Sequence, residues 1–366
     1  MAGLYVHVPF CAAKCIYCDF YSRVRQDFEP YVQAVLREIA ERRDELKGVP
    51  PTTLYFGGGT PSLLPAEALA RIAEALGAAF VRTRPAPTGP LFEEFTIEVN
   101  PDDVTADKAA AWRAMGAGRI SMGVQSFNDD HLRWMRRRHT AADAAAAFGR
   151  LRRAGFDNLS LDLIFGFTGL TDGQWLENID RALALQPEHI SCYQMTGRYA
   201  DPDEERCRRQ YNRLQERLET AGIRQYEISN YARPGFESRH NSGYWARTPY
   251  LGFGPGAHSF DGNRCRSWNT PDIDAYLRMR PGGQEQLSDT EVLEEKLMLA
   301  LRTVRGLDLD SLTPAERASL KQTTLEELSR VGKLIVDAGR IRIPAAELFV
   351  SDDIICRLIP ASACTA

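Results

Sequence analysis

Three cysteines, Cys11, Cys15 and Cys18, fall within eight residues, directly after the β-like run Tyr5-Val-His-Val-Pro-Phe10. Thiolates at C-x3-C-x2-C spacing on one loop can converge on a single inorganic centre and wrap one face of a cuboidal iron–sulfur cluster. A four-iron cluster usually takes four cysteines, so three leave one iron open to another ligand. The alternative occupant is a structural zinc with His7 as fourth ligand. Zinc sites more often use paired C-x2-C knuckles, and no second pair follows. The remaining cysteines (Cys192, Cys207, Cys265, Cys356 and Cys364) are scattered and read as small buried hydrophobes or incidental thiols.

A second set of residues is out of place for its surroundings. Glu98 interrupts Phe95-Thr-Ile-Glu-Val99, and Asp162 interrupts Leu159-Ser-Leu-Asp-Leu-Ile-Phe165. A carboxylate inside an apolar strand is costly unless something pairs with it, and two of them point to a polar ligand held in common. Gly57-Gly58-Gly59-Thr60-Pro61 follows another strand. By itself it is a sharp turn; beside a ligand, glycines let the backbone approach without a Cβ in the way. Gln125 ends a further strand, and Arg137 lies in Arg133-Trp-Met-Arg-Arg-Arg-His139, whose bland reading is a solvated basic face.

The elements that must position these groups alternate. Strands are expected at Leu4–Val8, Thr53–Phe56, Phe95–Val99, Arg119–Val124, Asn158–Phe165 and His189–Met195, with a short one at Gln225–Ile228. Helices are expected over Glu29–Lys47, Pro65–Phe80, Val104–Met115, Ala141–Ala154, Gln174–Leu185 and Asp201–Ala221. Such alternation means right-handed parallel βα units, here an α/β fold with a partial (β/α) TIM-type barrel of about six units. In such barrels the carboxyl ends of the strands carry the site, which is where the unusual residues fall. Arg82–Pro90 is a loop by composition, and sequence after Tyr231 turns turn-rich up to a linker at Pro281-Gly-Gly283. Helices at Leu293–Val304 and Leu325–Val336, with a strand or wing at Gly339–Pro344, predict a small, mostly helical, winged-helix-like C-terminal subdomain. The expected division is 1–230 barrel, 231–283 connecting segment and 284–366 subdomain.

The chain has 366 residues, 44% apolar and 26% charged, with a formal charge of −4. No global field draws it to nucleic acid or anionic lipid. No secretory signal pattern opens the sequence and no run is apolar enough to span a bilayer, so a cytoplasmic location with reduced thiols is expected.

The cysteine motif after strand one and the glycine turn after strand two resemble the radical S-adenosylmethionine superfamily. YVHVPFC, YFGGGTPS, EVNP, GVQSF, DLIFGF, YEISNYA and GFGPGAHSF resemble the oxygen-independent coproporphyrinogen III oxidase family within it, over nearly the whole chain. The resemblance implies a [4Fe-4S] cluster on Cys11, Cys15 and Cys18, with S-adenosylmethionine contacts at Tyr5, Gly58, Gly59, Thr60 and Glu98. Gln125, Arg137 and Asp162 match positions that the oxidases use for a second S-adenosylmethionine.

Two activities compete within that family: oxidative decarboxylation of coproporphyrinogen III, and heme binding with delivery to acceptors. Phe20 stands where the oxidase branch carries a further cysteine, and the chain begins only a few residues before the cluster loop. His240-Asn-Ser-Gly-Tyr-Trp245 is the HNxxYW pattern of the heme-chaperone branch. Imidazole is a common axial heme ligand, so His240 is the expected one, with Tyr244 and Trp245 as flat surface; the plain alternative is a hydrogen-bonded loop histidine. His7, His131, His139 and His189 read as structural, and His258 as structural or facing the pocket. The chaperone reading implies heme, heme-acceptor proteins and a reductant such as flavodoxin or ferredoxin as partners, with peripheral contact with membrane-bound acceptors and no nucleic acid. Two departures, the short run from Thr196 to Asp201 and Thr168 in place of a proline, fall at barrel-mouth loops.

Overall fold

Along the central strands the apolar residues face outward and the polar ones face each other. Leu54 and Phe56, Ile120 and Met122, and Leu159, Leu161 and Leu163 belong to the apolar core that the helices cover. The alternating positions, such as Glu94, Thr96 and Glu98 on one strand and Arg119, Ser121 and Gly123 on the next, turn to the concave interior. A strand exposes successive side chains on opposite faces, so this pattern makes a sheet with a greasy outer skin and a polar lumen.

The computed structural model describes residues 1–24, 27–46, 48–81 and 90–359. The loop expected at 82–90 falls almost wholly outside them, as do Lys47 and Cys364. The first half runs β1 (Ala2–Val8), α1 (Glu29–Glu41), β2 (Pro51–Gly58), α2 (Ala66–Phe80), β3 (Glu94–Val99), α3 (Ala106–Ala114), β4 (Arg119–Gln125), α4 (Asp129–Trp134), α5 (Ala141–Arg153), β5 (Asn158–Phe165), α6 (Asp172–Ala184) and β6 (His189–Gln194). These six strands pair in sequence order, all parallel. Next come α7 (Glu204–Thr220), β7 (Arg224–Glu227) and β8 (Asn230–Ala232), with β8 antiparallel to β6. Among the described residues β1 is flanked by β2 and β9 (Tyr250–Phe253) and β6 by β5 and β8, so the parallel set is an open, partial barrel.

The segment after Tyr231 holds more order than its turn-rich composition predicts. It carries α8 (Arg239–Trp245), β9 parallel to β1, then β10 (His258–Phe260), β11 (Cys265–Trp268), α9 (Ile273–Leu277) and β12 (Gly283–Gln286), which extend the sheet antiparallel. The linker expected at Pro281–Gly283 runs straight into β12, and a side chain at Gly282 or Gly283 would collide with Trp268. Buried Glu38 of α1 fastens this extension. It accepts from Arg42 (2.8 Å), the Tyr276 hydroxyl (2.6 Å), Asn269 (2.8 Å) and the Gly254 amide (3.0 Å).

The remainder is mostly helical: α10 (Asp289–Leu301), β13 (Leu307–Asp308), α11 (Pro314–Ala318), α12 (Gln322–Arg330), β14 (Ile335–Asp337), β15 (Arg340–Arg342) and α13 (Ser351–Leu358). The strands form a three-stranded wing, with β15 between the other two. Several boundaries differ from expectation, and two helix ends have a plain cause. Helix α1 stops at Glu41, where Arg42 turns back onto Glu38 and Glu45. Helix α12 stops at Arg330, closed by Gly332 in the left-handed region, and the apolar residues beyond it enter β14. The basic segment after β4 contains the short helix α4.

Candidate cluster and cofactor site

Cys11, Cys15 and Cys18 ride on a loop tied shut at its base. Arg23 donates its amide to the Pro9 carbonyl (2.7 Å), and Cys11 donates to the Arg23 carbonyl (3.0 Å). His7 braces it from below, with Nδ1 on the Tyr5 hydroxyl (3.1 Å) and Nε2 on the Tyr21 carbonyl (3.0 Å). Both ring nitrogens are thereby taken, which removes His7 as a fourth metal ligand. All three thiols are free and line one cavity of about 650 Å³. Among the described residues no three His, Cys, Asp or Glu donors are close enough to hold a single ion. Three free thiols around one cavity form a donor set that suits an iron–sulfur centre.

The glycine turn fits against this loop. A Cβ at Gly59 would lie 2.6 Å from the Phe10 carbonyl oxygen and 2.9 Å from that of Val8, whose oxygen accepts the Gly59 amide at 2.8 Å. Gly58 has φ +108°, and a Cβ there would meet the His7 ring at 2.6 Å. The turn therefore needs glycine for packing, and the same packing leaves Gly58, Gly59 and Thr60 on the cavity wall.

A hydrogen-bonded chain joins two of the thiols. The Thr60 hydroxyl donates to Cys11 Sγ (3.5 Å), and the Asn100 amide donates to Thr60 Oγ1 (3.2 Å). Arg137 donates to Asn100 Oδ1 (2.7 Å), to the Gly123 carbonyl (2.5 Å) and, through Nη1, to Cys15 Sγ (3.7 Å). Arg137 reaches inward because α4 ends with Arg136 in the left-handed region and the Arg137 amide closes onto the Leu132 carbonyl (2.8 Å). Its buried Nε has no protein partner. Gln125, also on the wall, follows a bulge in β4 and has φ +69°, in the left-handed region.

Glu98 and Asp162 face the cavity from β3 and β5. Glu98 Oε1 accepts from the Tyr55 hydroxyl (2.7 Å) and Oε2 from the Gly58 amide (3.2 Å). Burial lifts its carboxyl to about 7, against those two donors. Burial also raises Asp162, which accepts from Ser121 (3.2 Å). Tyr5 lies one layer down, away from the cavity wall, with its ring beside those of Tyr55 and His240.

The structure does not bring His240 to the cavity. Its side chain is buried, with Nδ1 on Thr53 Oγ1 (2.8 Å) and Nε2 on the Tyr244 hydroxyl (2.8 Å). Burial, and then the Arg119 guanidinium, hold its pKa down at about 3. Arg302 lies over the Trp245 ring at 4.5 Å, and Tyr244 packs edge-on against Tyr250 at 4.7 Å. In this arrangement both ring nitrogens of His240 are engaged within the protein, which is the hydrogen-bonded state that stood as the plain alternative to heme ligation. His258 likewise does not line the cavity.

Asn100, Ser121 and Tyr193 line the cavity without having been singled out as site residues. Asn100 stood in EVNP, and Ser121 could have been found as the inward position beside Asp162. Phe20 lines the cavity while 68% exposed, which puts it at the mouth, and Tyr193, near the end of β6, lines the same cavity.

The chain matches the Radical SAM superfamily over residues 5–182 and the HemN C-terminal domain over 287–350. The coproporphyrinogen III oxidase HemN of Escherichia coli shares its fold, with a TM-score of 0.82 at 23% identity, covering 98% of this chain and 90% of that one. Fold and matched motifs define a radical S-adenosylmethionine protein. Among curated relatives, the heme chaperone HemW of Bacillus subtilis is 32% identical over 93% of this chain and 97% of its own length. The heme chaperone HemW of Synechocystis is 36% identical over 87% and 83%. The chain belongs to the HemW family.

Proposed function

We propose that this protein is a heme chaperone that holds a [4Fe-4S] cluster and S-adenosylmethionine and passes heme to acceptor proteins. The observation that carries the first half is convergence: the three thiols, the Gly58–Thr60 turn, Glu98 and Asp162 line one cavity. Cys11, Cys15 and Cys18 would hold the cluster. Gly58, Gly59, Thr60 and Glu98 would hold S-adenosylmethionine, with Tyr5 supporting them from beneath. A bound cluster supplies a low-potential electron for reductive cleavage of a sulfonium. The protein's part is to orient and to exclude water. Gly58 and Thr60 would present backbone and hydroxyl groups to the ligand, Glu98 would accept hydrogen bonds from it, and Arg137 places positive charge beside Cys15. Gln125, Arg137 and Asp162 form a second polar wall for a further ligand.

The heme half rests on the named relatives and on Phe20, an exposed aromatic at the mouth where the oxidase branch resembled in sequence has a thiol. A flavodoxin or ferredoxin as electron donor, a cytoplasmic location and peripheral contact with membrane-bound acceptors complete the proposal. Among the described residues no helix is long and apolar enough to cross a membrane. The test is to reconstitute the cluster anaerobically and titrate S-adenosylmethionine and heme separately. Saturable binding of both supports the proposal. Absence of heme binding in protein that binds S-adenosylmethionine would leave only the enzyme reading.

A further inference from the structure

We propose that the HNxxYW helix acts as a plug in the barrel floor, where His240 positions Tyr55 and through it the Glu98 carboxylate. This rests on the reading of Glu98 as an S-adenosylmethionine contact, and it assigns the motif to that ligand rather than to heme iron.

The chain of contacts is continuous. The N-terminus of α8 is anchored on Glu94 of β3, which accepts from the Arg239 amide (2.9 Å) and the His240 amide (3.0 Å). That anchor sends the imidazole up into the lumen, between Thr53 of β2 and Tyr244 one helical turn on. Gly3 leaves the room: a Cβ there would stand 3.2 Å from the His240 ring. The imidazole then stacks on Tyr55, centroids 5.0 Å apart and planes 26° apart, while Tyr5 lies beside both rings, 6.1 Å from Tyr55 and 6.3 Å from His240. The Tyr55 ring is thus fixed in orientation, and its hydroxyl meets Glu98 Oε1 at 2.7 Å. Glu98 Oε2 takes the Gly58 amide, so one carboxylate is oriented by the floor on one oxygen and by the glycine turn on the other. Remove the imidazole and the Tyr55 ring loses the surface that holds it under Glu98. Coupling through packed, hydrogen-bonded side chains of this kind is what double-mutant cycles detect.

The experiment measures equilibrium S-adenosylmethionine affinity of cluster-reconstituted, full-length protein, with heme titrated separately by its absorption spectrum. Glu98→Gln is the control for the underlying reading. Wild-type affinity in that variant overturns Glu98 as a contact, independently of His240. Loss of one hydrogen-bonded anchor is expected to weaken binding about tenfold in His240→Ala and in Tyr55→Phe alike. The double variant is expected to lose about tenfold as well, not a hundredfold, because both act through one carboxylate. His240→Gln, which keeps a polar bridge from Thr53 to Tyr244, is expected to retain affinity within about twofold. The heme spectrum is expected to stay unchanged in all of them. Should His240→Ala not fold, Tyr244→Phe decides, with a loss of about threefold expected. Unaltered affinity in His240→Ala, or in Tyr244→Phe where it is the deciding variant, overturns the proposal. So do losses that multiply in the double variant, or a heme spectrum altered at constant S-adenosylmethionine affinity.

Discussion

The Tyr55 hydroxyl donates a 2.7 Å hydrogen bond to a Glu98 carboxylate that burial nevertheless lifts to about 7. The charge state of this cavity wall is therefore balanced near neutrality. A ligand that offers hydroxyl protons needs Glu98 ionised, so S-adenosylmethionine affinity should fall as pH drops through about 7. Glu98→Gln should flatten that profile, which titrations between pH 6 and 8.5 would read. Stability runs the other way. A carboxyl whose pKa is raised on folding favours the folded state at low pH, and that preference is lost as pH rises from its unfolded value of 4.5 to about 7. Melting curves of the cluster-free protein should accordingly move in favour of Glu98→Gln across that window and hold steady above it.

Gly59 and Gly57 separate packing from ligand contact. A Cβ at Gly59 meets backbone oxygens of the cysteine loop, which cannot swing away. Gly59→Ala should destabilise the fold by about 1–3 kcal/mol, as overpacking does, and lower the iron bound on reconstitution. A Cβ at Gly57 meets the side chains of Tyr55 (2.8 Å) and Glu98 (3.0 Å) instead. Gly57→Ala should keep its iron and lose S-adenosylmethionine affinity. Equal iron loss in both would refute the distinction.

Arg137 carries a positive charge to Cys15 Sγ at 3.7 Å. Positive charge and N–H donation to a ligand sulfur favour the reduced state of a cluster. Arg137→Met should shift the midpoint potential of the reconstituted cluster to more negative values, as read by spectroscopic redox titration. An unchanged potential would show that the guanidinium turns away when the cluster is in place.

The parallel strands were legible because each is a run of outward apolar residues, and Asn158–Phe165 has the expected limits. The thiols, the glycine turn and the inward carboxylates were legible because each breaks the chemistry of its surroundings. What escaped depended on distant partners. Strands β9 to β12 have three or four residues each, too few for periodicity, and their pairing with β1 and with one another is non-local. Helix α4 is hidden in an arginine-rich run that looks solvated. In α12 the leucine pattern continues into β14, so only the backbone reversal at Gly332 marks the end. His240 is the clearest case. Its motif marks it for chemistry, yet Thr53, Tyr55 and Glu94, which decide its state, lie more than a hundred residues away.

Heme delivery without porphyrin oxidation is tested most directly by two parallel incubations of the same preparation. Reconstituted protein would be incubated anaerobically with S-adenosylmethionine, reductant and coproporphyrinogen III, and the porphyrins separated by chromatography. A parallel sample loaded with heme would be mixed with a heme-free acceptor. Expected is unchanged coproporphyrinogen together with heme appearing on the acceptor. Protoporphyrinogen formed over many turnovers, with heme retained by the donor, would contradict the chaperone assignment and return the protein to the oxidases.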